Sequence, residues 1–174
     1  MPCVQKGLKI ARGRPAYTVE MIACLQVTPE KWQGKLFVRV AIHVRRNDYT
    51  NPVHIRDGWT LPSLGYFDRA MSYFTDCLER VQFIILSDNV RWSRKYLAKP
   101  NVVFVDGSVR TPAVDMAIAS LCDHGVVTIG SFGWWAAWLT NGVVITNKDV
   151  PRPRSSLSWR LYRKDYYKPE WIAL

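Results

Sequence analysis

The sequence predicts an α/β fold with a doubly wound, mostly parallel sheet. Short runs of apolar and β-branched residues alternate along the chain with stretches whose apolar residues recur at helical spacing. Short connections join them, and alternation of this kind is typical of parallel sheets with right-handed crossovers. With 174 residues and 48% hydrophobic content, the chain suits one sizeable core. We therefore predict a Rossmann-like sheet.

The first half of the chain supplies two strands and two helices. The first strand covers residues 37–44, where alternate residues fall on two faces, as a strand requires. Residues 64–81 place their apolar side chains on one helical face. A continuous apolar strand follows at residues 82–87, and a short helix then runs until Pro100 ends it.

The second half supplies three more strands and two more helices. A strand is predicted at residues 102–105, and Thr111 with Pro112 marks the N-cap and first position of a helix. Residues 125–146 carry no charge and are long enough to cross a bilayer. Their glycines and two β-branched runs favour instead two buried strands around a short helix.

The two ends differ from residues 36–150, which we assign to the domain. Residues 1–35 show no strong period and stay unassigned, apart from a partial element at residues 17–27. Residues 151–174 are basic and too aromatic for a solvated tail, so we expect them to pack on the domain.

The charge and the cysteines restrict the partners. A net charge of +10 points to an anion: nucleic acid, an acidic membrane surface or a phosphorylated small molecule. No RNA-recognition or helix-turn-helix pattern appears, so nucleic acid is not expected. The four cysteines lack Cys-x-x-Cys spacing, which argues against a zinc site and favours buried thiols, with a disulfide in a lumenal setting as the alternative. They are Cys3, Cys24, Cys77 and Cys122.

Two strand ends carry the candidate site. Arg45 and Arg46 follow the first strand, and ligands of open α/β sheets bind beyond the carboxyl ends of strands. Guanidinium groups bind phosphate bidentately. Residues 130–133, Gly-Ser-Phe-Gly, form a turn before a helix, where exposed amides and the helix dipole attract anions. Such a turn alone more often has no ligand-binding role. It becomes evidence for an anion site only together with Arg45 and Arg46.

The motifs resemble those of the α-1,2-fucosyltransferases, glycosyltransferase family 11, in that family's order. The specific matches are residues 43–49, His-Val-Arg-Arg-Asn-Asp-Tyr, and residues 128–137, Thr-Ile-Gly-Ser-Phe-Gly-Trp-Trp-Ala-Ala. Weaker matches are Ser87-Asp88-Asn89 with Trp92, Asp115-Met116-Ala117, Cys122-Asp123-His124 and Lys168-Pro169-Glu170-Trp171. Asn47 departs from the usual glycine, and Asn141-Gly142 replaces a common Gly-Gly.

The resemblance implies the nucleotide-sugar half of a glycosyltransferase with two Rossmann domains. Such an enzyme transfers L-fucose from GDP-β-L-fucose to the 2-hydroxyl of a galactose-terminated glycan, with inversion and without a metal cofactor. The absence of an Asp-x-Asp pair agrees with this. The resemblance also implies the Golgi, with membrane attachment only through a segment absent from this chain. The implied donor-binding residues are His43, Arg45, Arg46, Asp88, Asp115, Ser131, Phe132 and Gly133, and the catalytic candidates are Arg45 and Asp48.

Individual roles follow from chemistry. Arg45 is predicted to contact the β-phosphate, and Arg46 to orient the loop or contact the second phosphate. His43 is either a core histidine or a nucleotide contact. Asp48 suits an arginine partner better than a general base, because paired arginines lower a carboxyl pKa. Asp115 is either a helix-dipole partner or, by family analogy, a guanine ligand.

Length leaves alternative functions open. Family enzymes carry an upstream half that helps to form the acceptor site, and we expect that residues 1–35 hold little of it. A catalytically incomplete GDP-sugar-binding or lectin-like protein is therefore the second hypothesis. Nucleic-acid binding is the third, and it is suggested by the basic charge and the 22 aromatic residues.

Overall fold

A computed structural model describes residues 37–107 and 110–174 of the chain. Within this part, six strands form one parallel sheet. They are β1 (Val38–Val44), β2 (Val81–Ser87), β3 (Val102–Phe104), β4 (His124–Val127), β5 (Val144–Thr146) and β6 (Ile172–Ala173). The strand order is β3-β2-β1-β4-β5-β6, which reverses between β1 and β4. The predicted doubly wound α/β fold is confirmed.

Helices connect the strands. The α-helices are α1 (Pro52–Asp57), α2 (Leu64–Cys77), α3 (Val90–Leu97), α4 (Pro112–Ser120), α5 (Ser131–Thr140) and α6 (Arg163–Tyr166), and 3-10 turns cover Asp48–Thr50 and Leu157–Trp159. Side chains cap four of them, and each accepts a hydrogen bond from a first-turn amide: Asn51, Ser63, Asn89 and Thr111. The Thr111 cap and Pro112 start α4 as predicted.

The central strands are buried on both faces, as their continuous apolar sequences require. On one face, Val40 and Ile42 of β1 pack in a cluster that includes Tyr66 and Phe74 of α2. On the other face, Ala41 packs in a cluster that includes Ile118 of α4. Packing on both faces fixes β1 in the sheet, and it therefore fixes the position of the carboxyl end of β1.

The helix predicted over residues 64–81 ends earlier, at Cys77. Leu78 is extended, and Val81 already pairs with Val38 as the first residue of β2. Cys77 therefore lies half-buried at the helix end, and it is disulfide-bonded, so its assignment as a buried thiol was wrong. Cys122 is a buried thiol, as predicted, and its Sγ lies 3.4 Å from the Ile118 carbonyl oxygen.

The uncharged stretch at residues 125–146 forms parts of two strands and the helix α5 between them, as predicted. In the described part of the chain, no helix is long and apolar enough to span a membrane. The segment after Pro151 contributes α6 and β6, and β6 pairs with β5 at the sheet edge. The element predicted at residues 17–27, together with Cys3 and Cys24, lies outside the described residues.

Candidate functional site

The candidate site lies at the carboxyl ends of β1, β2 and β4, where the strand order reverses. The register places Val44 beside Ser87 of β2 and His43 beside Val127 of β4. The residues that follow these pairs therefore meet at one edge of the sheet. A crevice at such a reversal is where open α/β sheets bind ligands.

Arg45 joins the three strand ends. Its backbone amide donates to the Thr128 hydroxyl at 3.0 Å, which ties the loop after β1 to the loop after β4. Its guanidinium donates to both Asp48 oxygens, at 2.9 and 2.8 Å, and lies 3.5 Å from Asp88. The hydrogen bond from Arg45 lowers the pKa of Asp48, and the same bond raises the pKa of Arg45. Asp48 is thus the partner of Arg45, and it orients the Arg45 guanidinium.

Asp88 fixes the backbone of the same loop. Its two carboxylate oxygens accept from the amides of Arg46 and Asn47, at 2.9 and 3.0 Å. The Asn47 side chain donates to the Asp88 carbonyl at 2.7 Å and accepts from the Asn89 amide group at 2.9 Å. The asparagine that departs from the family's glycine therefore adds two hydrogen bonds that glycine cannot make.

His43 is buried beneath the start of α5. Its ring centroid lies 5.1 Å from that of Phe132, and a Cβ atom on Gly133 would come within 2.5 Å of His43 Nδ1. Burial, together with the positive charges of Arg45 and Arg110, lowers the pKa of His43 to about 3. His43 is therefore neutral at physiological pH. Glycine at 133 is what allows the helix to approach this ring.

These residues border a cavity of about 310 Å³, which we call the edge cavity. Its lining comprises His43, Arg45, Asp88, Arg110, Thr111, Pro112, Asp115 and Phe132. Five of the eight predicted donor-binding residues thus line one cavity. Its size falls at the lower end of the range for small-molecule sites.

Arg110 is a lining residue that the sequence analysis missed. Its Nε donates to Asp115 at 2.8 Å, its Nη2 donates to the other carboxylate oxygen of Asp115, and Asp115 is buried. The sequence did contain a signal for it. Arg110 stands just before the helix start at Thr111-Pro112, and the acidic Asp115 follows five positions later, in the first turn of that helix. The ion pair gives the buried carboxylate a charged partner.

Three predicted donor-binding residues do not line the edge cavity. The Arg46 guanidinium lies 4.3 Å from the centroid of the Trp92 ring, a cation–π contact with a residue that does not line the edge cavity. Ser131 and Gly133 flank Phe132 in the first turn of α5. Gly130, at φ 87°, precedes that helix and supplies no capping side chain, so the first-turn amides face the loop region.

Comparison with known proteins identifies the family. A sequence model of glycosyl transferase family 11 matches residues 32–174. The chain belongs to glycosyl transferase family 11. It is 33% identical over 138 residues to galactoside alpha-(1,2)-fucosyltransferase 1 of Sus scrofa. It is also 30% identical over 138 residues to galactoside 2-alpha-L-fucosyltransferase Sec1 of Mus musculus.

These alignments cover 78% of this chain but 38% of each relative. The chain therefore spans less than half the length of the curated relatives that it matches. The family 11 match includes every residue that lines the edge cavity. In the described residues, no group of three or more His, Cys, Asp or Glu side chains is arranged to hold a metal ion.

Proposed function

We propose that the edge cavity binds GDP-β-L-fucose and that the chain is the donor-binding part of a galactoside α-1,2-fucosyltransferase. The observation that carries this proposal is the position of Arg45 at the strand reversal, tied to Thr128 of the loop before α5. A guanidinium and the first turn of a helix thus share one edge. Both groups favour a phosphate ligand.

The proposed reaction inverts the anomeric carbon. The 2-hydroxyl oxygen of the galactoside attacks that carbon, and the bond from the carbon to the β-phosphate oxygen breaks. The electron pair leaves with GDP, and the hydroxyl proton passes to a base. Negative charge therefore grows on the diphosphate, and preorganised donors directed at it lower the barrier.

Arg45 supplies such donors. A guanidinium has five N–H donors, and Asp48 engages Nε and Nη2, so the remaining donors can bind the β-phosphate. Asp48 then acts as a positioning residue. We propose that Arg45 and the first-turn amides of α5 neutralise the leaving group without a metal.

The other lining residues suit the nucleoside. Asp115 is the proposed guanine ligand, by analogy with the family, and Arg110 orients its carboxylate. His43 is neutral, and its Nδ1 has no hydrogen-bond partner in the described part of the chain. A proton on Nδ1 would have no acceptor there. The neutral ring is therefore expected to carry its proton on Nε2 and to donate from that atom.

Titration calorimetry with GDP, GDP-fucose and UDP tests the donor site. We expect GDP and GDP-fucose to bind and UDP to bind much more weakly, because the guanine contact is lost. Equal affinity for UDP would remove Asp115 from the proposed role. Absence of heat with both guanine nucleotides would overturn the donor site itself.

The alternative function is a GDP-sugar-binding protein without turnover. The edge cavity holds groups that suit the donor, whereas the Asp48 carboxylate is engaged by Arg45 rather than placed to act as a base. A transfer assay on a lactose-type acceptor separates the two, because GDP-fucose binding without product supports the non-catalytic protein. Residence in the Golgi lumen is part of the proposal, and the disulfide at Cys77 suits an oxidising compartment.

A further inference from the structure

A second cavity, of about 320 Å³, lies in the C-terminal segment. We call it the tail cavity, and it is lined by Leu157, Arg160, Leu161, Tyr162, Asp165 and Tyr166. None of these residues lines the edge cavity or belongs to the motifs that carry the family resemblance. The tail cavity combines apolar side chains, two phenol rings, a carboxylate and a guanidinium.

Two contacts connect the tail cavity to the edge cavity. Tyr49, four residues after Arg45, packs in the apolar cluster that contains Leu157 and Leu161, and its hydroxyl oxygen would lie 3.7 Å from a Cβ atom on Gly130. Tyr49 thus stands between the tail cavity and the start of α5.

The second contact comes from α5 itself. The indole Nε1 of Trp134 donates to the carbonyl of Tyr166 at 2.7 Å. Trp134 lies one position beyond Gly133, in the first turn of the helix that borders the edge cavity. A wall of the tail cavity is therefore anchored to the element that carries the proposed phosphate amides.

The side chains of the tail cavity fit a neutral sugar ring. A pyranose has an apolar face of C–H groups and a rim of hydroxyls, so it needs an aromatic or aliphatic surface with a few hydrogen-bonding groups beside it. Tyr162 is 56% exposed and offers its ring, while Leu157 and Leu161 extend the apolar surface.

Asp165 supplies the polar contact. Within residues 37–107 and 110–174, no ion pair or side-chain hydrogen bond engages its carboxylate, which is exposed at the cavity. Arg160 is instead paired with Asp57. Asp165 is thus the charged group of this cavity that is available to accept hydrogen bonds from sugar hydroxyls.

We infer that the tail cavity binds the pyranose ring of the acceptor, with Tyr162 against its apolar face and Asp165 on its hydroxyls. The inference rests on the proposed function, because it names the second substrate of the same reaction. It places the acceptor on the opposite side of Tyr49 from the nucleotide. The acceptor site is then built from the C-terminal segment as well as from the sheet edge.

Ligand-observed NMR of methyl β-galactoside with the full chain, in the presence of GDP, tests this without requiring turnover. We expect Tyr162→Ala and Asp165→Asn each to weaken galactoside binding by about tenfold, as loss of a ring contact or charged hydrogen bond predicts. Matched controls are Trp159→Ala, which changes a 73% exposed ring in the same segment, and Asp149→Asn. Both controls are expected to bind like the unchanged chain.

GDP affinity, measured on every variant by calorimetry, reports folding and the donor site separately. Normal GDP affinity with unchanged galactoside binding in both cavity variants would overturn the tail cavity and leave the donor site standing. Failure of the unchanged chain to bind galactoside while it binds GDP would also overturn it. Failure to bind GDP at all would instead refute the proposed function.

Discussion

The edge cavity and the tail cavity have similar volumes, about 310 and 320 Å³, but they hold their charged groups differently. In the edge cavity, Arg45 is clamped by Asp48, and Asp115 by Arg110. In the tail cavity, Arg160 is paired with Asp57, but the exposed Asp165 carboxylate has no side-chain partner among the described residues. Clamped groups meet a ligand without further ordering, whereas mobile ones lose conformational freedom when they bind. The edge cavity therefore suits a fixed anion and the tail cavity a weakly held ring.

The largest expected effect tests the clamp on Arg45. Arg45→Lys keeps the charge but loses the planar fork of donors. We expect the loss of about 3 kcal/mol of transition-state stabilisation, which lowers turnover on the order of a hundredfold. Arg46→Lys is the matched control, and we expect a loss below about 1 kcal/mol because its guanidinium stacks on Trp92. Steady-state transfer kinetics and GDP calorimetry measure both. Near-normal turnover of Arg45→Lys would refute bidentate phosphate recognition.

Close packing beneath the edge cavity gives the next effect. In Gly133→Ala, the new methyl would meet His43 Nδ1 at 2.5 Å and Val127 Cγ1 at 2.7 Å, so we expect a loss of about 2 kcal/mol in unfolding free energy. Gly65→Ala on α2 is the control, since its nearest neighbour is the flexible end of Arg69 at 3.3 Å. It should be neutral or slightly stabilising. Urea unfolding curves compare them, and equal midpoints would show that the edge is not tightly packed.

The neutral state of His43 predicts a pH dependence. An unfolded histidine takes up a proton near pH 6.5, but burial holds the folded pKa at about 3. Between these values the unfolded state binds more protons, so stability falls as the pH is lowered, by at most about 1.4 kcal/mol per pH unit. The pKa of Asp48 is also lowered from its ordinary value of 3.8, so its contribution to the slope falls mainly below pH 5.

Chemical unfolding at pH 5 and pH 6.5 measures this slope. His43→Gln has no titrating ring, and it should lose most of the slope between these two values. His54→Gln, at a half-buried position in α1, is measured in parallel as the matched histidine variant. An identical slope in His43→Gln would mean that the ring is not buried in a neutral state.

The smallest expected effect concerns the loop after β1. Asn47→Gly restores the residue usual in the family and removes two exposed side-chain hydrogen bonds, to Asp88 and from Asn89. We expect a loss of about 0.5–1 kcal/mol in unfolding free energy, with GDP affinity nearly unchanged, because Asp88 still holds the backbone amides. Thermal unfolding checks the first value. A large loss of GDP affinity would show that the Asn47 side chain itself shapes the edge cavity.

The sheet was predictable because its strands are continuous apolar runs that end in turn residues. β1, β2 and α5 fall close to their predicted positions, and so does the cap at Thr111. Periodicity carries no information on where a helix stops, so α2 was extended past Cys77. The disulfide at Cys77 was the less favoured of the two predicted alternatives. The short strand β6 has too few residues to show any period.

The site was predictable where the chain order itself places residues at strand ends, as for His43, Arg45 and Asp88. It was not predictable where side-chain direction decides. Arg45 and Arg46 are adjacent and chemically identical, yet one lines the edge cavity and the other lies on Trp92. Arg110 was missed because its partner becomes a neighbour only once α4 has formed.

The approach of α5 to His43 also constrains how this protein can diverge. Positions 43 and 133 share one small volume, so a side chain can be gained at one only if it is reduced at the other. Substitutions at positions 43 and 133 should therefore occur together in related sequences. The double change His43→Ala with Gly133→Ala should be tolerated better than Gly133→Ala alone, because the two positions are energetically coupled.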